Sequence, residues 1–453
     1  MKLNIRKFLL SSTFLLISGC VTTNRTPLDL ATELNYTQEI KAEYSANTNW
    51  WKQYNNEELN RLVETALKNN PDYLKAAVNI DKELYKLGLS TSDLFPTLTA
   101  GTNASSQRKI DRKDNFSSNF SGEAGLNYEA DLYGKIHNQY QAQKLEYQAT
   151  AMDHEAARLT LVNSVVDLYF NLEYLQNAIN LTEKNIKNYE QIRNVAKAKY
   201  NAGKADNVEF LEAEQNLLSE QNRLLDLQTG FKETQTSLKN ILAVNNDEKL
   251  DLKFGEILNQ PALGVNINVP VAVLATRPDL ISSQYRLEKA FKNLETENKN
   301  WYPNISFKGV LSSSSDKART TFDFPYILGS VGVDLPFLDW NRVKNNIKIS
   351  EADYDLTVLE FKDTLNQAVN EVIYYYFAYE QAQKAFENTE KNYKNASQIT
   401  RYYQERYNSG KTEFKDFLQA LSSENSLRKN LLEQKYQLIK YENYVYKSMG
   451  GKY

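Results

Sequence analysis

The chain has 453 residues, a charged fraction of 25%, a formal net charge of −3 and a mean hydropathy of −0.60, values typical of a water-exposed protein without bias toward nucleic acid. Its only cysteine is Cys20, which excludes intramolecular disulfides and cysteine-based metal sites. The two histidines, His137 and His154, stand alone and are expected to be solvated helix residues. Because no nucleotide-binding, catalytic or metal-ligand motif occurs, the sequence predicts neither an enzyme nor a metal site.

The amino terminus resembles a bacterial lipoprotein signal. Basic residues precede an apolar run from Phe8 to Ile17, and a small-residue site then ends in Cys20. The resemblance implies cleavage before Cys20, attachment of a diacylglycerol and an N-acyl chain to it, and sorting to the outer membrane. A plain secretory signal with an incidental cysteine is the alternative. No later apolar run reaches the roughly 18 residues of a transmembrane helix.

The rest of the chain is a tandem duplication. Residues 71–213 recur without a gap as residues 278–420, an offset of 207 positions (278 − 71). Solenoid repeats have periods of roughly 20 to 50 residues, so each copy here is a larger module that pairs with its twin. We predict a signal peptide over 1–19, an N-terminal lipid-anchored segment over 20–55, a first repeat over 56–260 and a second repeat over 261–453.

Two long stretches lack proline, the main helix breaker. None occurs between Pro96 and Pro261, and none follows Pro336. Each stretch is predicted to contain a long helical hairpin, over about 132–243 in the first copy and about 341–448 in the second.

Both hairpins are expected to turn at a glycine and to share one apolar seam. Gly203 and Gly410 stand where a left-handed cap would end the first helix of each hairpin. Apolar residues spaced alternately by four and three positions form a heptad seam that both copies keep in register. Its members are Leu161, Val165, Leu168, Leu172, Leu175 and Ile179, and then Ala368, Val372, Tyr375, Tyr379, Ala382 and Phe386.

A segment with strand character precedes the hairpin in each copy, at about 96–130 and about 303–335. In the first, Phe116, Phe120 and Leu126 alternate with polar residues, which is the period-two pattern of a strand with one apolar face; the second is less regular. Each segment predicts a strand pair, so one chain supplies four strands. The smallest transmembrane barrels have about eight strands, so two or three chains must contribute, and the pattern leaves that choice open.

Nearly the whole mature chain carries motifs in a recognisable order. After the lipoprotein signal come Trp50-Trp51, Asn70-Pro71-Asp72, Phe95-Pro96, Tyr128 to Lys135, Tyr200 to Ala213, Arg277-Pro278-Asp279, Tyr302-Pro303, Leu335 to Arg342, and Arg406 to Ala420. This order resembles the TolC-type outer membrane efflux protein family, in particular its lipid-anchored branch associated with multidrug resistance-nodulation-division pumps.

The resemblance implies a fold, a function and partners. The implied fold is an α+β membrane protein in which a homotrimer forms a 12-stranded transmembrane β-barrel, four strands per chain, continuous with a long periplasmic α-helical barrel. The implied function is an exit duct in the outer membrane of a Gram-negative bacterium, passing drugs or other small toxic compounds to the exterior. Implied partners are a periplasmic adaptor protein, a proton-driven inner-membrane pump and outer membrane lipid, with no nucleic acid and no cofactor beyond the lipid on Cys20.

The resemblance also assigns roles to residues at and beyond the hairpin turns. The turns correspond to periplasmic tips that dock on the adaptor. Family members constrict the closed pore with inward carboxylates and a tyrosine-linked network, and Asp416 and Tyr407 match those positions, with Glu209 and Glu212 near the corresponding ones in the first copy. Ordinary solvated helix residues are the alternative for these side chains. The predicted docking residues are Ala202, Gly203, Lys204, Ser409, Gly410 and Lys411.

The gate prediction has one electrostatic consequence and one departure from the family. A ring of three Asp416 side chains would repel anions and attract cations. Gln419 stands where some relatives carry a second acidic residue, so a gate with two acidic rings is not expected.

Two other functions remain open. One is the same duct coupled to a type I protein secretion system instead of a small-molecule pump. The other is a structural or adaptor lipoprotein of the periplasm. An adaptor should carry one helical hairpin, and a structural coiled coil should lack strand pairs, whereas this chain is predicted to have two of each.

Overall fold

The structure is a computed structural model that describes residues 28–110, 116–245, 250–266, 268–323 and 325–453. The predicted signal peptide and Cys20 lie outside the described residues. The chain divides into two compact units. We term Glu83–Tyr147 with Tyr285–Leu359 the sheet unit, and Leu30–Lys82 with Gln148–Gln284 and Glu360–Tyr453 the hairpin unit.

Helices and strands follow the order expected of a duplicated chain. The α-helices among the described residues are α1 (Leu30–Glu33), α2 (Gln38–Glu43), α3 (Glu57–Asn69), α4 (Pro71–Ser92), α5 (Lys135–Asn201), α6 (Asn207–Leu242), α7 (Pro278–Asn298), α8 (Trp340–Asn408) and α9 (Phe414–Ser448). The strands are β1 (Thr97–Gln107), β2 (Ser117–Ala130), β3 (Asn304–Ser315) and β4 (Tyr326–Asp334).

The two longest helices are α5 and α8, with 67 and 69 residues, or about 100 Å each at ~1.5 Å per residue. Helix α5 begins at Lys135, because Asp131 accepts hydrogen bonds from the backbone N–H groups of Ile136 and His137, at 3.0 and 2.8 Å, and so caps its first turn. Within the described residues, no helix has the length and apolar character needed to cross a membrane.

The sheet unit contains one antiparallel sheet in the order β1-β2-β3-β4. Strand β2 of the first copy pairs with β3 of the second, so the sheet is continuous across the duplication. Directly paired residues of an antiparallel sheet share a face. Leu98 pairs with Leu126, and Leu311 pairs with both Ala124 and Ile327, so one face is apolar along all four strands.

The opposite face of the sheet is mainly polar. Asn127 pairs with Thr97 and Lys308 on this face, and Ser121 and Glu123 share it because they keep the same parity along β2. The second strand pair looked less regular in the sequence because Val310 and Leu328 fall on the polar face, where they pair with each other.

The core of the hairpin unit contains the predicted heptad seam. In α5, Val165 and Leu172 are fully buried, and in α8, Ala368 and Val372 are buried. Trp50, Trp51, Tyr54, Leu59, Leu62, Leu238, Leu242 and Ile439 belong to the same cluster as the α5 seam. Residues 50–54 of the N-terminal segment are therefore packed into this core.

A buried carboxylate joins three distant parts of the hairpin unit. Glu442 of α9 is 0% exposed, and it accepts hydrogen bonds from the Gly264 N–H at 2.6 Å and the Tyr54 hydroxyl at 2.9 Å. The side chain of Asn443 donates to Tyr54 and accepts from the Trp50 indole N–H at 2.8 Å. Burial raises the pKa of Glu442, and the hydrogen bonds from Gly264 and Tyr54 only partly offset that rise.

The prediction for one of the two histidines is wrong. The His154 ring stacks on Tyr73 of α4 with a centroid separation of 4.3 Å, and its side chain is 17% exposed. The pairing joins two helices, so the local pattern of α5 could not reveal it. His137 is exposed, as expected. Across the described part of the chain, no cluster of three or more His, Cys, Asp or Glu side chains could hold a metal ion.

Candidate functional site

The two hairpin turns have the same backbone geometry. In each, a glycine takes a left-handed conformation, with φ of +65° at Gly203 and +68° at Gly410. The N–H of the lysine that follows the glycine donates, over 2.9 Å, to the carbonyl oxygen five residues earlier. This is the Schellman arrangement that ends a helix, and glycine suits it because no Cβ opposes the positive φ. The six predicted docking residues, Ala202, Gly203, Lys204, Ser409, Gly410 and Lys411, are all exposed.

Next to the turns, the two hairpins pack against each other through an apolar cluster, here termed the tip cluster. It joins α5 and α6 of the first hairpin to α9 of the second. The duplication therefore brings both turns to the same end of the hairpin unit. The buried members of the tip cluster are Tyr189, Ala196, Ala213, Leu217, Phe414, Phe417 and Leu418.

Tyr407, one of the predicted gate residues, is half-buried at the edge of the tip cluster. Its ring stacks on Phe417 with a centroid separation of 5.9 Å and an interplanar angle of 7°, and it also contacts Phe414 at 5.4 Å. The Tyr407 hydroxyl accepts a hydrogen bond from Lys199 Nζ, which belongs to the other hairpin. Lys199 was not among the site residues predicted from the sequence, because a single lysine near the end of a helix belongs to no recognisable motif.

The predicted gate carboxylates have different surroundings although two of them are repeat equivalents. Asp416 stands 207 positions after Glu209 (416 − 209), and both are half-buried. Asp416 Oδ2 accepts a hydrogen bond from Thr412 Oγ1 at 2.7 Å. In the first copy the position of Thr412 is taken by Ala205, which has no hydroxyl. Glu209 Oε2 is buried and accepts no hydrogen bond from any described residue.

Glu212 is half-buried in the second turn of α6, and this position does not by itself assign it a role in the gate. Its backbone carbonyl accepts a hydrogen bond from the Asn216 side chain at 2.9 Å, as an ordinary helical pair does. Gln419, its repeat equivalent, is exposed.

An ion pair that sequence reasoning missed lies farther from the turns. Glu220 of α6 accepts hydrogen bonds from Lys429 Nζ of α9 at 3.0 and 2.9 Å, and from Asn185 of α5 at 3.0 Å. The pair connects the two hairpins. The sequence could have indicated that Glu220 is buried. Leu217 follows Ala213 by four positions and Glu220 follows Leu217 by three, so all three lie on the buried stripe of α6.

The sequence model of the family described as outer membrane efflux protein matches the chain twice, over residues 62–244 and 269–451. The two matches are offset by 207 positions (269 − 62), which is the offset of the internal duplication. The chain belongs to the outer membrane efflux protein family.

Relatives and solved structures agree with this membership. Toxin and drug export protein A of Aggregatibacter actinomycetemcomitans is 38% identical to the chain described here over 421 residues, which cover 92% of each sequence. The outer-membrane channel OprN has a similar structure, with a TM-score of 0.82 at 20% identity, over 95% of this chain and 98% of that one. The CmeC outer membrane channel of Campylobacter jejuni gives a TM-score of 0.79 at 23% identity, over 96% and 94% of the two chains.

The family confirms the predicted fold class and location. This efflux protein is an outer membrane protein with a mostly helical chain and a four-stranded antiparallel sheet, the fold of outer membrane channels. Its family consists of transport ducts and not of enzymes.

Proposed function

We propose that three copies of this chain form an exit duct in the outer membrane, which receives small toxic compounds from a proton-driven inner-membrane pump through a periplasmic adaptor. The observation that carries the proposal is the sheet with one apolar and one polar face, in the same chain as two hairpins whose turns lie together. Such a sheet suits a wall between lipid and water. Long paired helices suit a conduit that reaches toward a partner.

Three sheets joined edge to edge would give twelve strands, enough for a closed barrel with a water-filled interior. The face with Leu98, Leu126, Leu311 and Ile327 would contact lipid, because charged groups there would be costly in the bilayer. The face with Glu123 and the other polar residues would line the lumen. Closure would also remove the unpaired edges of β1 and β4, which lipid does not tolerate.

The adaptor would dock at the exposed turns. Ala202, Gly203 and Lys204 in the first hairpin and Ser409, Gly410 and Lys411 in the second present the same backbone geometry twice. A photocrosslinking residue at position 204 or 411 should capture the adaptor in cells. The same residue at exposed Lys187, which lies in α5 well before the turn, should capture it much less, and equal capture would remove the turns from the interface.

Asp416 would form the charged ring of the resting gate, with Tyr407 beside it and Glu209 and Glu212 contributed by the first hairpin. Three Asp416 side chains would narrow the resting pore and favour cations through their charge, so truncation to Ala widens the constriction and weakens that preference. Asp416→Ala should raise resting conductance in a planar bilayer and reduce its cation selectivity. Unchanged conductance and selectivity would remove Asp416 from the constriction.

A lipid on Cys20 would anchor the mature amino terminus in the outer membrane. A relative named a probable outer membrane lipoprotein, SilC of Salmonella typhimurium, supports this proposal. Cys20→Ser behind the native signal should abolish incorporation of labelled palmitate. A wild-type chain that carries no lipid mass would contradict the proposal.

Coupling to protein secretion remains the second candidate, since the relative from Aggregatibacter is named for both toxin and drug export. Deletion of this chain separates the two. Energised wild-type cells should exclude a fluorescent pump substrate, deleted cells should fill with it, and complementation should restore exclusion, with an inner-membrane uncoupler as control. Unchanged dye accumulation together with loss of a secreted protein would favour protein secretion.

A further inference from the structure

We propose that the sheet carries a binding site for a phosphorylated glycolipid of the outer leaflet. A depression on the apolar face would take one acyl chain of this lipid, and basic residues beside it would take a phosphate. The proposal rests on the duct proposed above, which turns the apolar face toward lipid. The depression has a volume of about 620 Å³ and lies within the sheet unit.

Small residues form the floor of the depression. On the apolar face, Gly122 is flanked in the neighbouring strands by Thr102 and Ser313, and Ala124 is flanked by Ala100 on one side. One step farther along the same face, the paired residues are Leu98 and Leu126, whose large side chains fill the equivalent space. A cluster of small residues on a lipid-facing surface leaves a gap, and atoms around an unfilled gap lose their packing contacts. The floor residues are Ala100, Thr102, Gly122, Ala124 and Ser313.

One wall of the depression is the aromatic ring of Phe322, which belongs to the connection between β3 and β4. The ring rests directly on Gly122, where an added Cβ would lie 2.4 Å from Phe322 Cε1. Phe322 is nevertheless 67% exposed, so most of its ring surface is open. The ring and the floor together offer an acyl chain an apolar surface that no other described residue covers.

A buried hydroxyl in the floor indicates that the ligand also carries a polar group. Ser313 is 2% exposed, and its Oγ has no hydrogen-bond partner among the described residues. Ser313 keeps the parity of Leu311, which places the hydroxyl on the apolar face. A buried hydroxyl without a partner is unfavourable, and methylene groups cannot satisfy it. A hydroxyl or ester oxygen on an acyl chain close to the headgroup would.

Basic residues lie beside the depression, at the end of the sheet opposite α5 and α8. The two strand connections there, residues 108–116 and 316–325, carry six basic and four acidic residues, a net charge of +2 (6 − 4). Lys317 and Arg319 are exposed and form no ion pair with a described residue. Ser313 is two residues, or ~7 Å, from the end of β3. An acyl chain in the depression would therefore bring its headgroup to Lys317 and Arg319.

Charge and position together select the lipid. In the proposed duct, the end of the sheet opposite the helices faces the exterior, so the lipid belongs to the outer leaflet. Ammonium and guanidinium groups bind phosphate well, whereas a zwitterionic phospholipid offers no net charge to them. Glu123 also borders the depression, but its parity places the carboxylate on the polar face, away from the phosphate.

Native mass spectrometry of the purified full-length assembly tests the site, with diphosphoryl lipid A as the probe in a neutral detergent. Phe322→Ala should weaken binding about tenfold through lost apolar contact. Lys317→Gln combined with Arg319→Gln should weaken it on the order of 25-fold. The matched controls lie in β3: Phe307→Ala removes an exposed ring from the apolar face outside the depression, and Lys308→Gln removes a cation from the polar face. Both controls should bind the probe as wild type does.

The remaining variant concerns the hydroxyl. Ser313→Ala should weaken binding about fivefold, and unchanged affinity would overturn the proposed hydrogen bond to the lipid. Equal weakening by the site variants and their controls would overturn the lipid site, as would equal affinity for phosphatidylcholine. If Phe322→Ala does not assemble, the Lys317 and Arg319 double variant decides, because it changes only exposed side chains.

Leu126→Cys distinguishes failure of this site from failure of the duct. Leu126 lies on the apolar face outside the depression, so a fluorophore attached there should be quenched by spin-labelled acyl chains. Quenching at position 126, together with wild-type affinity in all site variants, would remove the lipid site and keep the barrel. Absence of quenching would contradict the lipid-facing orientation on which both proposals rest.

Discussion

The buried pair of Glu220 and Lys429 gives a sharp test of how the two hairpins are held together. The two side chains are 8% and 12% exposed, and Asn185 donates the remaining hydrogen bond to the carboxylate. Burial lowers the pKa of Lys429, and the hydrogen bond to Glu220 opposes that lowering. In Lys429→Met, the carboxylate stays buried and loses its nearest cation.

The expected cost follows from that geometry. Removal of Lys429 leaves the buried carboxylate only the exposed Arg223, whose Nε lies 4.0 Å away, so the cost should fall at the lower end of the roughly 3–5 kcal/mol for a broken buried ion pair. Replacement of both by apolar residues, as in Glu220→Leu with Lys429→Met, removes the charge as well and should return stability to within about 1 kcal/mol of wild type. Lys394→Met is the control, because the Lys394–Glu390 pair is exposed and contributes about 0.5 kcal/mol or less.

Native-state amide hydrogen exchange measures this loss of stability in the region around Glu220 and does not require reversible unfolding of the assembly. Exchange of buried amides around positions 217–224 should accelerate roughly 10²- to 10³-fold in Lys429→Met and return to near wild type in the double variant. The reasoning fails if Lys429→Met accelerates exchange less than about threefold, or if the double variant is as labile as the single one.

Two further predictions concern the N-terminal segment and the turns. Since the folded pKa of Glu442 lies above the unfolded value of 4.5, the stability that this carboxyl contributes is complete below that value and is lost as pH rises through the folded pKa. Amide hydrogen exchange of residues 50–54, corrected for the intrinsic pH dependence of exchange, should therefore be slower near pH 5 than near pH 7.5. Glu442→Gln should remove the difference, and a pH dependence that survives in this variant would contradict the role of Glu442. Gly203→Ala and Gly410→Ala should each destabilise the turn by about 1 kcal/mol through the positive φ alone, because a Cβ would meet no atom within 4 Å. Local exchange that is unchanged in both variants would refute that account.

The sequence predicted the helical hairpins and the sheet for different reasons. Long proline-free stretches and a heptad seam depend only on local patterns, and Val165 and Leu172 are buried as the seam requires. The second strand pair was harder, because Val310 and Leu328 lie on the polar face and pair with each other. Alternation alone cannot reveal such a cross-strand pair, since it depends on the register between β3 and β4.

The tip residues show where sequence reasoning stops. The glycine turns followed from the duplication and from the caps that glycine favours. The partners of Tyr407 and Glu220 did not, because Lys199 and Lys429 come from the other hairpin and their repeat equivalents are different residues. A contact between copies that exists on one side only leaves no trace in the repeat pattern.

A path for compounds through the lumen is the central claim, and a blocking experiment tests it most directly. Cys20 is the only native cysteine, so new thiols can be placed singly on either face of the sheet. Ser121→Cys lies on the polar face and Ala124→Cys on the apolar face of the same strand. A bulky membrane-impermeant thiol reagent added outside the cells should stop dye efflux through Ser121→Cys and leave efflux through Ala124→Cys unchanged. Full efflux through a Ser121→Cys protein that is completely labelled would contradict the duct.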